Sequence, residues 1–170
     1  MMRAMRLLAI PITAALLLPA RAADERPPCS APAHRQFDFW IGEWDVRTPD
    51  GVLAGTNRIT TIQGGCALQE NWEGASGTTG TSLNAYDEAR GRWHQTWVDT
   101  HGSLLLLDGD FKEGKMILAG ATPSPGKGTV RDRITWEPSG GGAVRQLWEQ
   151  SSDGGRSWSV AFDGRYTRKR

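Results

Sequence analysis

Phe37-Asp38-Phe39-Trp40-Ile41-Gly42-Glu43-Trp44-Asp45-Val46 sets four aromatic rings ahead of and within a Gly-x-Trp that runs straight into an alternating segment. Polar Glu43 and Asp45 interleave with Trp44 and Val46, the period-two pattern of a strand with one buried face. His34 to Trp40 reads as a short helical turn placed before that first strand, capping one end of whatever the strand helps to build. Phe37, Phe39 and Trp40 are read as closure residues.

Downstream of Asp45 no segment sustains a helical period. Short apolar or alternating runs are separated by turn residues at Pro49-Asp50-Gly51, Gly64-Gly65, Asp87 to Gly91, Thr100-His101-Gly102, Lys112-Glu113-Gly114, Pro123 to Gly128, Pro138 to Gly142 and Ser152-Asp153-Gly154-Gly155. About nine or ten strands fit between these marks, joined by links short enough for hairpins, so sequence neighbours become antiparallel sheet neighbours. A sheet of that many strands twists, and closing it removes its edges. The pattern predicts an all-β, antiparallel up-and-down barrel, with a sandwich as the alternative. Gly74 to Gly80 reads as either a mobile loop or a strand end, and Gly120 to Gly128 as a proline-containing surface loop.

The chain begins with Arg3 and Arg6, an apolar run from Leu7 to Leu18, and Ala20-Arg21-Ala22, the order of a secretory signal peptide cleaved after residue 22. The apolar run is broken by Pro11 and falls short of the roughly 20 residues of a membrane helix, so no membrane span is expected after cleavage. Removing Arg3, Arg6 and Arg21 takes 20 basic residues to 17 against 19 acidic ones, a net charge of −2. That balance argues against nucleic acid as a partner, because such proteins concentrate positive charge. Residues 23–33 form a Pro-rich arm, and residues 34–170 form one domain. Cys29 and Cys66 would face an oxidising compartment, where an even count points to a bridge between the arm and the loop before the third strand. Export to the periplasm or beyond is the expected localisation.

The short helical turn followed by Gly-x-Trp at Gly42-Glu43-Trp44 resembles the opening of lipocalins and the wider calycin group. That resemblance implies a barrel whose Trp44 closes the floor, covered by a basic residue from the last strand, Arg168 or Arg165. Phe37 to Val46, Trp93 to Gly102 and the Ser-x-Asp-Gly-Gly-x-x-Trp segment ending at Trp158 together resemble an uncharacterised, often exported bacterial family. Membership would imply a lipocalin-like barrel and no established activity. The later strand motifs of true lipocalins are missing. Haem-binding barrels of the nitrobindin type use an axial His from the C-terminal part, and this chain carries only His34, His94 and His101.

Eight tryptophans are the compositional oddity, and strand alternation sorts them. Trp93, Gln95 and Trp97 share one face of the fifth strand, Leu68, Glu70 and Trp72 one face of the third, and Val130, Asp132, Ile134 and Trp136 one face of the eighth. The last strand groups Trp158, Val160, Phe162, Tyr166 and Arg168. Taken as inward, these faces make Trp72, Trp93, Trp97 and Trp136 the walls of a ligand pocket and Glu70, Gln95 and Asp132 the polar groups that orient a guest. The opposing reading is an interior filled by indoles, with Glu70 paired to an inward Arg. Glu70 and Asp132 would act as acid and base only if they face each other across the lumen. The histidines lack metal-ligand spacing, and His94 reads as exterior. Asp99 reads as a hairpin cap, and Trp158 as the core anchor of the Asp153-Gly154-Gly155 hairpin. Gly126-Lys127-Gly128 has neither the spacing nor the hydroxyl of a phosphate loop.

The expectation is an exported, non-catalytic carrier of a small, largely apolar or aromatic molecule, with no cofactor. A hydrolase or isomerase using lumenal carboxylates, and a solid-core scaffold or interaction module, are the alternatives.

Overall fold

The first strand begins where the aromatic wedge ends. In the computed structural model, which describes residues 27–124, 126 and 128–169, two 3-10 turns, Pro32–Arg35 and Asp38–Trp40, lead into β1 (Gly42–Arg47). The segment read as a signal peptide and the start of the arm lie outside the described residues. Nine further strands come after it: β2 (Leu53–Ile62), β3 (Ala67–Gly74), β4 (Thr79–Asp87), β5 (Arg92–Asp99), β6 (Leu104–Lys112), β7 (Lys115–Ser124), β8 (Gly128–Ser139), β9 (Ala143–Ser151) and β10 (Ser159–Arg168). Each pairs antiparallel with its sequence neighbours, and β10 returns to pair with β1, closing an up-and-down barrel of ten strands. Every turn pattern in the sequence matches a link between strands. Gly74 ends β3 and Gly80 lies inside β4, so only a tight turn separates them.

A stacked pair reinforces the closing ladder. Trp44 pairs with Arg168 across the β1–β10 seam, and the Arg168 guanidinium lies 4.0 Å from the centre of the Trp44 ring. Such a contact contributes about 0.5–2 kcal/mol depending on how dry it is. Arg168 Nη1 also donates to the Ile41 carbonyl at 2.6 Å, and Trp44 Nε1 donates to the Trp40 carbonyl at 2.9 Å. Gly42 makes this possible twice over. Its φ of +143° suits glycine, and a Cβ there would fall 1.8 Å from Arg168 Nη1. Arg165, the other candidate, is exposed and pairs in register with Arg47.

Ten strands enclose more space than the eight whose side chains just fill a barrel. One end is closed by the 3-10 turns. Phe37 stacks on Trp40 at 4.9 Å and meets Trp93 and Trp136 edge-on at 5.6 and 5.2 Å, and all four rings are buried. Leu68, Leu107, Met116, Leu118 and Tyr166 belong to the same buried core. A bridge between Cys29 and Cys66 fastens the arm to the 3-10 turn Gln63–Gly65 that precedes β3.

Three expectations are corrected. The β7 and β8 ladders continue from Gly120 opposite Asp132 to Ser124 opposite Gly128, so most of the segment read as a surface loop is paired strand. Trp158 is not a core anchor. It lies on the outer face with the Arg133 guanidinium 4.2 Å from its ring centre, and Val160 is 63% exposed. The cause is a bulge: Val160 pairs with Glu149 and Phe162 with Trp148, leaving Ala161 extra and reversing the alternation for the residues before it.

Candidate functional site

Alternation along the strands builds the lumen in layers. On β3 the inward side chains run Leu68, Glu70, Trp72; on β5 Trp93, Gln95, Trp97; on β9 Val144, Gln146, Trp148. The first member of each trio lies toward the closed end, the second forms a polar middle, and the third is a half-buried indole at the other end. There the barrel is hollow. A cavity of about 200 Å³, partly open to solvent, is lined by Trp72, Trp97, Trp148 and Phe162 as aromatic walls. Glu70, Gln95, Gln146 and Tyr166 contribute its polar groups, and Leu105 and Ile134 complete its apolar side.

The polar layer is a continuous hydrogen-bonded chain. Asn57 Nδ2 donates to Glu70 Oε1 at 2.7 Å, and Ser82 Oγ donates to Glu70 Oε2 at 2.6 Å. Asn84 Nδ2 donates to Ser82 Oγ at 2.8 Å, and Gln95 Nε2 donates to Asn84 Oδ1 at 2.8 Å. On the other side the Tyr166 hydroxyl accepts from Asn57 Nδ2 at 3.3 Å and donates to Gln146 Oε1. Such networks fix side-chain geometry when their members are satisfied.

Glu70 is 4% exposed and no described Lys or Arg pairs with it, so the inward Arg of the filled-core reading does not exist among the described residues. Burial pushes its carboxyl from the ordinary value near 4.5 up to about 7, against the opposing pull of the Ser82 and Asn57 hydrogen bonds. Burial, assisted by the Glu70 charge, also raises the Tyr166 hydroxyl well above its ordinary value of 10, so it stays protonated.

The rings at the hollow end are seated by glycines. A Cβ at Gly80 would stand 2.3 Å from the Trp97 ring, and one at Gly55 would stand 2.8 Å from the Trp72 ring. Without side chains at these positions both indoles settle back against the barrel wall and leave the centre free. Trp72 meets Phe162 edge-on at 6.1 Å. Two indole N–H groups point to carboxylates: Trp148 Nε1 donates to Asp132 Oδ1 at 2.8 Å, and Trp97 Nε1 donates to Asp99 Oδ2 at 3.3 Å. Asp99 Oδ1 also accepts the His101 and Ser103 backbone N–H groups, as the hairpin cap requires.

Of the residues singled out from sequence, Trp72, Trp97, Glu70 and Gln95 come together around the cavity. Trp93 and Trp136 do not line it. They point inward but at the closed end, where Trp93 Nε1 donates to Gln36 Oε1 at 3.1 Å and Trp136 packs on Trp40. Asp132 is buried but is not among the side chains that line the cavity with Glu70; its Oδ1 accepts from Trp148 Nε1 and, at 2.9 Å, from Gln150 Nε2. Trp148, Gln146, Phe162 and Tyr166 also line the cavity, beyond the ligand contacts that the sequence suggests; alternation on β9 and β10 carried the signal for them. Among the described residues no three of His, Cys, Asp or Glu converge where a metal could be held. His94 sits on the outer face against Asp108, at 2.9 Å.

No protein-family model matches this chain, and no curated protein matches it.

Proposed function

We propose that this is an exported, lipocalin-like barrel that binds a small, largely apolar or aromatic molecule in its lumen without transforming it. The observation that carries the reading is the aromatic-walled hollow over a hydrogen-bonded polar layer. Apolar walls supply burial energy and a few placed polar groups supply orientation, which is the general build of small-molecule sites. The volume suits a guest of one ring or a short branched chain, since a dry cavity of about 150 Å³ already holds benzene. Export is supported by the Cys29–Cys66 bridge, which persists in an oxidising compartment, together with the signal-like N-terminus. Among the described residues no helix is long and apolar enough to cross a membrane. The shared motifs support membership of the uncharacterised exported bacterial family.

Trp97→Ala tests the reading, with Trp136→Ala as its control. Binding of a neutral aromatic probe, followed by indole fluorescence, falls roughly ten-fold or more in Trp97→Ala while stability falls less than in Trp136→Ala. The control removes a fully buried ring at the closed end, at a cost of about 3–5 kcal/mol. Equal effects of the two substitutions on binding and folding contradict the proposal.

One observation favours a second reading. Leu83, Val98, Leu104 and Leu106 share the outer face of β4, β5 and β6 and are 50, 46, 50 and 54% exposed. An interaction module would use that patch. Substituting Leu104 and Leu106 with Ser then abolishes partner capture while leaving the lumen intact. The hydrolase or isomerase reading has a carboxyl poised near neutral pH in its favour, but among the described residues no second acid lines the cavity with Glu70.

A further inference from the structure

Charge narrows the guest's chemistry more than shape does, and any choice of guest rests on the carrier reading. Among the described residues the cavity lining holds one ionisable carboxyl, Glu70, and no Lys, Arg or His. Two further carboxylates stand close to the walls, Asp132 accepting from the Trp148 indole and Asp99 from that of Trp97. A carboxylate accepting an indole N–H bond makes that ring a better seat for positive charge, because it enriches the π face. Glu70 itself accepts two bonds, both from neutral donors, whereas an ionised carboxylate has about four acceptor positions. A buried carboxylate without a counter-charge is costly, and supplying that charge is the largest gain a guest can bring.

We propose that the guest is a small organic cation, an alkyl- or arylammonium, whose charged head sits between the Glu70 carboxylate and the rings of Trp72, Trp97 and Trp148. An anionic guest meets the Glu70 carboxylate and no cationic side chain among the described lining residues. A neutral one leaves the ionised form of Glu70 uncompensated. A hard metal ion finds one carboxylate among indoles where it needs about six or more oxygens. Aromatic boxes with an acidic member recognise ammonium groups because the ring quadrupole and the carboxylate act on the same charge once water is excluded.

The pH dependence comes from Glu70 itself, because the groups that face it do not change charge. These are Asn57 from β2 and Ser82 from β4, neither of which titrates, and Tyr166 from β10, which stays neutral. A cation binds the ionised form of Glu70, so affinity rises as pH passes upward through about 7, and binding releases a proton.

The test uses choline, its neutral isostere 3,3-dimethylbutan-1-ol and neutral benzyl alcohol, titrated into the full mature protein by calorimetry at pH 5.5 and 8.5. The expected result is that choline binds roughly ten-fold or more tighter than its isostere at pH 8.5, that this preference shrinks at pH 5.5, and that Glu70→Gln removes it. If the isostere or benzyl alcohol binds as tightly as choline at both pH values, the cation proposal is overturned and the carrier reading stands. If none of the three binds, both fall.

Discussion

Burial without a cationic partner among the described residues holds the Glu70 carboxyl at about 7 against an ordinary value near 4.5, although the hydrogen bonds it accepts from Ser82 and Asn57 pull it down. The folded chain therefore favours the protonated form. Its stabilising effect is complete below pH 4.5, declines as pH rises toward 7, and is gone above that, a change on the order of 3 kcal/mol. Glu70→Gln keeps the shape and loses the titration. Asn57 Oδ1, buried without a donor, can turn to accept the new amide. The variant should match the wild type near pH 4 and exceed it at pH 8, as measured by urea unfolding across pH. Parallel stability curves for the two proteins would contradict the assignment. Alternation placed Glu70, Gln95, Trp72 and Trp97 in the lumen from sequence alone. It misassigned Trp93 and Trp136 because a period of two gives the side of a strand but not the height along the barrel axis.

The strands at the hollow end keep it open through what they lack. Gly80 on β4 stands opposite Asp99 on β5 and leaves room for the Trp97 ring, which a Cβ would meet at 2.3 Å. Gly80→Ala should push that indole toward the centre. The expected outcome is a loss of probe binding larger than the loss of stability, the latter about 1–3 kcal/mol for overpacking at a half-buried site. Binding equal to wild type, with a crystal structure showing Trp97 unmoved, would show that the glycine does not set the cavity. Turn residues made nearly all the strands legible. The bulge at Ala161 was not, since one extra residue leaves no mark in composition, and it moved Trp158 and Val160 to the outer face. The Trp44–Arg168 seam was legible in part: Gly-x-Trp marked one side of it, while the choice between Arg168 and Arg165 required the pairing register.

The barrel as a unit rests on two restraints distant from the cavity, the closing seam and the Cys29–Cys66 bridge. The bridge spans 37 residues, and loop entropy assigns it about 3–4 kcal/mol. Replacing both cysteines with Ser should lower the denaturant midpoint accordingly and leave probe affinity in the folded protein unchanged. An unaltered midpoint would mean that the arm is held by its own packing. The barrel and its strand count could be read from turn spacing, but which end is hollow could not, because that depends on how deeply Phe37 and Trp40 insert between Trp93 and Trp136. A carrier requires the opposite end to receive a guest. A native mass spectrum of the protein recovered from its own cells under gentle conditions reads this without intermediaries. The expected spectrum holds a population heavier than the bare chain by one small molecule, lost on mild activation and absent from Trp97→Ala; a single species at the mass of the bare polypeptide would contradict guest binding.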